Sequence, residues 1–126
     1  MSSGLKTTFL IHAIVAFVFG IVLYLQPQLW AYTINWTPFD PNMTRVYGAT
    51  LLAVAVSSWF GYRAARWDEV RILVLMEIAL TVLSTVAALW GLLFRVAPAF
   101  AWVGVVIWVV FAVAWIYFYL NRPAKV

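Results

Sequence analysis

The chain has no cysteine and few charged residues, and each shortage excludes a class of protein. Without cysteine there is no disulfide, no thiolate metal site and no thiol nucleophile. One histidine and four acidic residues are little material for a metal centre, so we expect neither a metal nor a cofactor. Only 10% of the 126 residues are charged, against roughly a quarter in a soluble domain.

Apolar residues are abundant instead, at 67% of the sequence, against roughly half in a soluble domain. A chain with this many apolar residues needs lipid around its surface. Its length suits a single domain, residues 1–126. The net charge of +4 does not indicate nucleic acid, because the positive residues stand at the ends of apolar runs, as in membrane proteins. We therefore expect a multi-pass membrane protein.

Four apolar segments are each long enough to cross a bilayer as a helix. A hydrocarbon core about 30 Å thick needs roughly 17–25 residues. Backbone amides in lipid must bond within their own segment, and the alternation typical of barrel strands is absent from the sequence. The sequence predicts an all-α, antiparallel four-helix transmembrane bundle with spans at about 7–25, 41–62, 70–94 and 98–120.

Residues that start and stop helices support these limits. Pro27 closes the first span. Asp40 and Pro41 begin the second, since Asp caps free amides and Pro suits the first helical position. Asp68 is the predicted cap of the third span, and Pro98 opens the fourth.

Lysine and arginine predict the orientation. Six of them fall on one side of the four spans and two on the other, which predicts that both termini are cytoplasmic in a prokaryotic inner membrane. The two on the outer side either reach toward headgroups or form a charged patch. The six are Lys6, Arg63, Arg66, Arg71, Arg122 and Lys125, and the two are Arg45 and Arg95.

The connections differ in character. Residues 26–39 form a predicted outer loop with Trp30, Trp36 and Phe39, aromatic residues that favour the headgroup layer. We expect this loop to lie on the outer interface, either as irregular chain or as a short amphipathic element. Residues 63–69 form a predicted basic cytoplasmic loop suited to anionic lipid.

Small residues recur along one face of each span, and such faces pack together in membranes. Each face is therefore predicted to point into the bundle. The faces are His12, Ala16 and Gly20; Ala49, Ala53, Ser57 and Gly61; Glu77, Thr81, Ser84, Ala88 and Gly91; and Gly104, Trp108, Ala112 and Trp115.

Glu77 is a carboxylate inside the apolar run 72–94, where a charged group is costly and usually retained for a function. His12 is predicted at the same depth, about 8 Å below the cytoplasmic interface. The two are candidates for proton coupling or ligand binding. The alternatives are a structural hydrogen bond for Glu77, and for His12 a bond across helices or the orientation of Glu77.

Further polar and aromatic residues are candidates for lining a pathway or pocket, namely Ser57, Ser58, Thr81, Ser84, Trp108 and Trp115. The hydroxyls can equally bond the carbonyl one turn back. Trp108 falls near the middle of the membrane. It can wall a cavity for a flat apolar ligand such as a carotenoid, quinone or sterol, but filling space beside a small residue is the favoured interpretation.

The stretch RVYGATLLAVA, residues 45–55, resembles the second span of small four-helix prokaryotic membrane proteins of the DoxX-like type. The resemblance covers about twenty residues and the four-span layout. It implies a four-helix bundle and carries over no functional residue.

These patterns predict a non-enzymatic membrane protein, because no nucleophile–base pair is evident. It is expected to bind a lipid-like or amphipathic small molecule or to serve as an accessory subunit of a membrane complex. The alternative is a homo-oligomeric, proton-coupled transporter or channel that uses Glu77. The expected partners are the bilayer, an apolar or amphipathic small molecule, and a second copy or a larger complex.

Overall fold

The computed structural model describes residues 1–122, and all regular secondary structure in that range is helical. Helices α1, α4 and α5 are long and apolar enough to cross a membrane. Lys125, one of the positive residues used to predict the orientation, lies outside the described residues. The helices are α1 (Ser3–Leu25), α2 (Pro27–Thr33), α3 (Pro41–Arg63), α4 (Trp67–Leu93) and α5 (Ala101–Leu120).

The four long helices alternate in direction. The Met1 amino group donates a hydrogen bond to the Ala65 carbonyl over 3.2 Å. A Cβ atom at Gly4 would lie 3.1 Å from the Phe118 ring. Residues 1–5, 64–66 and 118–122 therefore share one end of the molecule, here named the termini end. At the opposite end, the Trp30 ring lies 5.1 Å from the Phe100 ring. That end, formed by residues 26–40 and 94–100, is named the α2 end.

The start of α3 follows directly from its sequence. The Asp40 carboxylate accepts hydrogen bonds from the backbone amides of Asn42 and Met43, at 2.8 and 2.9 Å. Pro41 occupies the first helical position. A backbone N–H at that position has no partner within the helix, so the missing N–H of proline removes no hydrogen bond. The Asp40–Pro41 pair thus marks this helix start as the sequence indicates.

The connection between α3 and α4 is shorter than expected. The predicted loop 63–69 reduces to residues 64–66, because α4 begins at Trp67. Glu69 accepts hydrogen bonds from the backbone amides of Ala65 and Arg66, at 3.0 and 3.3 Å, and so fixes that start. Asp68, the predicted cap, lies in the first turn instead. There its negative charge interacts favourably with the positive end of the helix dipole.

Residues 26–39 are not a simple loop. They contain α2, which begins at Pro27, so this proline opens a helix as well as following the end of α1. Asn35 has a left-handed φ of 55° and lets the Trp36 amide bond the Ala31 carbonyl at 2.8 Å. At the start of the last span, Pro98 belongs to a turn, and α5 begins three residues later.

Helices α1 and α3 pack closely at two glycines. A Cβ atom at Gly48 would lie 2.7 Å from the Tyr24 backbone nitrogen and 3.0 Å from the Gly20 carbonyl oxygen. The buried face of α3 consists of Gly48, Ala55, Ser58 and Gly61. The predicted face was wrong at Ala49 and Ala53, which are exposed, because Gly48 rather than its neighbour permits the close approach.

The four long helices form two pairs. Helix α1 packs along most of α3, and α4 along most of α5, whereas the pairs contact each other over a short length. A cluster of buried apolar side chains at the termini end joins them. Its residues are Leu5, Phe9, Val70, Val74, Phe111 and Trp115.

Replacing Gly48 tests the α1–α3 packing. We expect Gly48→Leu to lower the free energy of unfolding by about 1–3 kcal/mol, because the new side chain meets backbone that cannot yield. Ala49→Leu is the matched control, since Ala49 is exposed. Denaturant titration of the detergent-solubilised protein measures both variants. Equal effects would contradict the packing described.

Candidate functional site

A cavity of about 600 Å³ lies between the two helix pairs. It occupies the α2 side of the apolar cluster, where the pairs no longer contact each other. Along α1 it extends from His12 to Leu23, about 16 Å at 1.5 Å per residue. A cavity of this size and largely apolar lining is typical of small-molecule sites.

Aromatic side chains form much of the cavity wall. At the α2 end, the Trp30 ring meets Phe19 edge-on at 5.7 Å and Phe100 at 5.1 Å, so one side chain of α2 bridges both helix pairs. Trp108 and Phe111 of α5 line the cavity further in. Flat and branched apolar molecules pack well against such surfaces.

Several residues of the cavity lining are exposed, both at the α2 end and on α3 and α4. Asp40 and Thr44 stand at the α2 end of its lining. Met43, Tyr47 and Ala87 also line it and are exposed. Because these three lie on neighbouring helices α3 and α4, the cavity opens along the crevice between them.

His12 forms the floor of the cavity. Its Nδ1 atom lies 2.9 Å from the Ser58 hydroxyl of α3, and both side chains are buried. Its ring meets Phe111 edge-on at 4.5 Å and Trp115 at 5.5 Å. Because the Nδ1 edge is occupied by Ser58, Nε2 is the ring nitrogen available to an occupant of the cavity.

Glu77 stands behind His12, outside the cavity lining. Its side chain is almost wholly buried, and its Oε1 atom lies 3.7 Å from His12 Nδ1, beyond hydrogen-bond length. The Ser58 hydroxyl lies beside both groups. Among the residues described, Oε2 has no hydrogen-bond partner. The structure thus brings the two predicted candidates together, with Ser58 between them.

The remaining candidates divide into two groups. Ser84 and Trp108 line the cavity, and the Trp108 ring also packs over Gly104, where a Cβ atom would lie 3.0 Å from it. Ser57 and Thr81 bond carbonyls of their own helices, Val54 at 2.9 Å and Glu77 at 2.6 Å, and do not line the cavity.

Trp115 belongs to the apolar cluster beneath His12 and is fully buried. Its ring packs 4.8 Å from Phe9, and its Nε1 atom has no partner among residues 1–122. Neither Arg45 nor Arg95 is among the cavity-lining residues. Trp115 is also outside the cavity lining, and its role in a pathway stays a prediction.

Sequence reasoning missed the contribution of the α2 end. Trp30 is explained by the headgroup layer, yet it closes the cavity against Phe100. The sequence did contain one signal that could have predicted the cavity. Small residues on adjoining helices, namely Ala88, Gly91 and Gly104, all line it. Small residues on facing helices can leave space between them as well as allow close packing.

The composition of the site does not suggest a metal centre, because the described residues contain no cluster of three His, Asp or Glu side chains. Comparisons with protein-family models, with curated proteins and with solved structures each found no match. The DoxX-like resemblance of residues 45–55 therefore finds no support there, and the geometry of the site carries the functional proposal.

Adjacent serines test the polar cluster. We expect Ser58→Ala to lower the free energy of unfolding by about 1–2 kcal/mol, because it removes the partner of His12 Nδ1. Ser57→Ala should change it by less than about 0.5 kcal/mol, because that hydroxyl bonds only its own helix. Denaturant titration of both variants under one condition gives the comparison. A Ser57→Ala effect as large as that of Ser58→Ala would count against the His12–Ser58 bond.

Proposed function

We propose that this chain is a non-enzymatic integral membrane protein that binds one lipid-like or amphipathic small molecule between its two helix pairs. The observation that carries this proposal is the cavity of about 600 Å³. Its aromatic walls suit an apolar body, and its polar floor at His12 offers a point of orientation. Sites for small molecules combine these two properties.

The membrane setting adds α3 as a fourth span. Helices α1 and α4 both begin at the termini end and run toward the α2 end. If both cross the bilayer, the chain must return between them, and α3 is the long helix available. Its 23 residues suffice for about 30 Å of hydrocarbon. The positive residues then favour cytoplasmic termini in a prokaryotic inner membrane.

Single cysteines test this topology without background, because the chain has none of its own. We expect Thr37→Cys, at the exposed α2 end, to react with a membrane-impermeant maleimide in intact spheroplasts. Ala65→Cys, exposed at the termini end, should react only after permeabilisation. The reverse pattern would invert the proposed orientation, and labelling of both in intact spheroplasts would refute the four spans.

The crevice between α3 and α4 supports entry from the bilayer. Met43, Tyr47 and Ala87 are exposed there and line the cavity. An apolar molecule dissolved in lipid can reach these residues without crossing water. This route favours a ligand that partitions into membranes over a soluble metabolite.

Filling the cavity tests the binding proposal. Ala88→Phe places a ring in the cavity, whereas Val86→Phe, on the same helix, adds one at an exposed position outside the lining. With farnesol as the probe, we expect native mass spectrometry to show a one-to-one adduct for the wild type and for Val86→Phe. Ala88→Phe should reduce the occupied fraction at least about tenfold, because the two occupants compete for one volume.

Two results would contradict the proposal. One is equal farnesol occupancy in Ala88→Phe and wild type. The other is a wild-type protein that retains neither farnesol nor any organic-extractable molecule from the cells that produced it. Unfolding curves of the three proteins serve as the control for folding.

A homo-oligomeric, proton-coupled transporter is the second candidate, and the Glu77–Ser58–His12 cluster favours it. Two titratable side chains 3.7 Å apart at the closed end of a cavity can link proton binding to ligand binding. Transport would also require an opening through the apolar cluster at the termini end. Loss of pH-dependent uptake in Glu77→Gln proteoliposomes, with farnesol binding intact, would favour this candidate.

A role as an accessory subunit needs only that the same site hold a ligand within a larger complex.

A further inference from the structure

The charge of the cavity lining restricts what can bind at its floor. None of the described lining residues is lysine or arginine, and the single acid, Asp40, stands at the α2 end, where it caps α3. His12 and Glu77 have no net charge when they hold one titratable proton between them, on whichever side chain it lies. A carboxylate or phosphate head at the floor would therefore be buried without a compensating charge, which weakens binding at least about tenfold.

The hydrogen-bonding capacity of His12 restricts the head further. Ser58 can donate to Nδ1, which leaves Nε2 as a donor, or accept from it, which leaves Nε2 as an acceptor. A hydroxyl satisfies either state, because it both donates and accepts. A hydrocarbon end would leave Nε2 unpaired in an apolar surrounding, which weakens binding at least about fivefold.

We infer that the occupant is an uncharged lipid with a terminal hydroxyl, inserted with that hydroxyl against His12 Nε2 and its apolar body toward Trp30. The inference rests on the proposed function and names the ligand class of the same cavity. The distance from His12 to Leu23, about 16 Å along α1, sets the length of the body. Trp108 and Phe111 provide the aromatic surface along that length.

Three probes with one isoprenoid body and different heads test the inference: farnesol, farnesoic acid and farnesene. Each is titrated at pH 8 into the wild-type protein in nanodiscs. The partition of each probe into protein-free nanodiscs is measured separately, and each dissociation constant is calculated from the resulting probe concentration in the bilayer. We expect farnesol to bind at least about tenfold more tightly than farnesoate. We expect it to bind at least about fivefold more tightly than farnesene.

Two variants assign the preference to the floor. His12→Phe keeps an aromatic ring and removes the polar group, so it should abolish the difference between farnesol and farnesene. Ser57→Ala, outside the cavity lining, should preserve that difference. If His12→Phe does not fold, the ranking of the three probes on the wild type still decides the question.

The outcomes separate this inference from the proposal beneath it. Farnesoate binding as tightly as farnesol, or farnesene doing so, overturns the hydroxyl head but leaves a lipid-binding cavity, provided that Ala88→Phe still blocks binding. Saturable binding of none of the three overturns the inference, and it overturns the proposed function as well if the purified protein also retains no organic-extractable molecule. A wild-type preference for farnesol over both other probes, by at least the stated factors, supports the inference. A folded His12→Phe variant that keeps the full preference for farnesol over farnesene overturns the contact with His12.

Discussion

The Phe9 ring packs at the point where three helices meet, and the remaining architecture depends on that contact. Phe9 lies against Gly61 of α3, where a Cβ atom would sit 2.5 Å from the ring, and against Trp115 of α5, with ring centres 4.8 Å apart. It thereby joins a tight α1–α3 pair to the α4–α5 pair. Because the joint lies at the termini end, the space between the pairs remains at the other end.

The polar cluster sits at the boundary between this joint and the cavity. His12 is one helical turn beyond Phe9, so the residue that ends the apolar cluster is followed on the same face by the residue that begins the cavity. Glu77 is placed beyond it, away from the lining, with Ser58 beside both. A buried acid in a membrane helix is expensive unless its neighbours satisfy it. The arrangement places the polar groups where an occupant of the cavity can contact His12 but not Glu77 directly.

Local signals in the sequence were sufficient for the long apolar helices and for the Asp40–Pro41 start of α3. For α2 they indicated only that the outer loop could contain a short amphipathic element, without its bounds, because a helix of seven residues carries little periodicity. The buried face of α3 was misassigned because small residues occur on more than one side of that helix, and only the partner helix selects Gly48 over Ala49. Spacing along single helices placed His12 and Glu77 at one depth. Their proximity, and the cavity above them, depend on helix order, which spacing does not encode.

The Trp30 bridge has a consequence for the kinetics of the site. Trp30 belongs to a seven-residue helix and spans the gap between Phe19 and Phe100, whereas His12 lies at the opposite end of the cavity. On the proposed function, the residence time of an occupant that leaves toward the α2 end is set by movement of that bridge, and discrimination between occupants by the floor. Most differences in affinity among related complexes arise from dissociation rates. Here the two properties belong to different elements, so a change in α2 can alter the off-rate while selectivity stays the same.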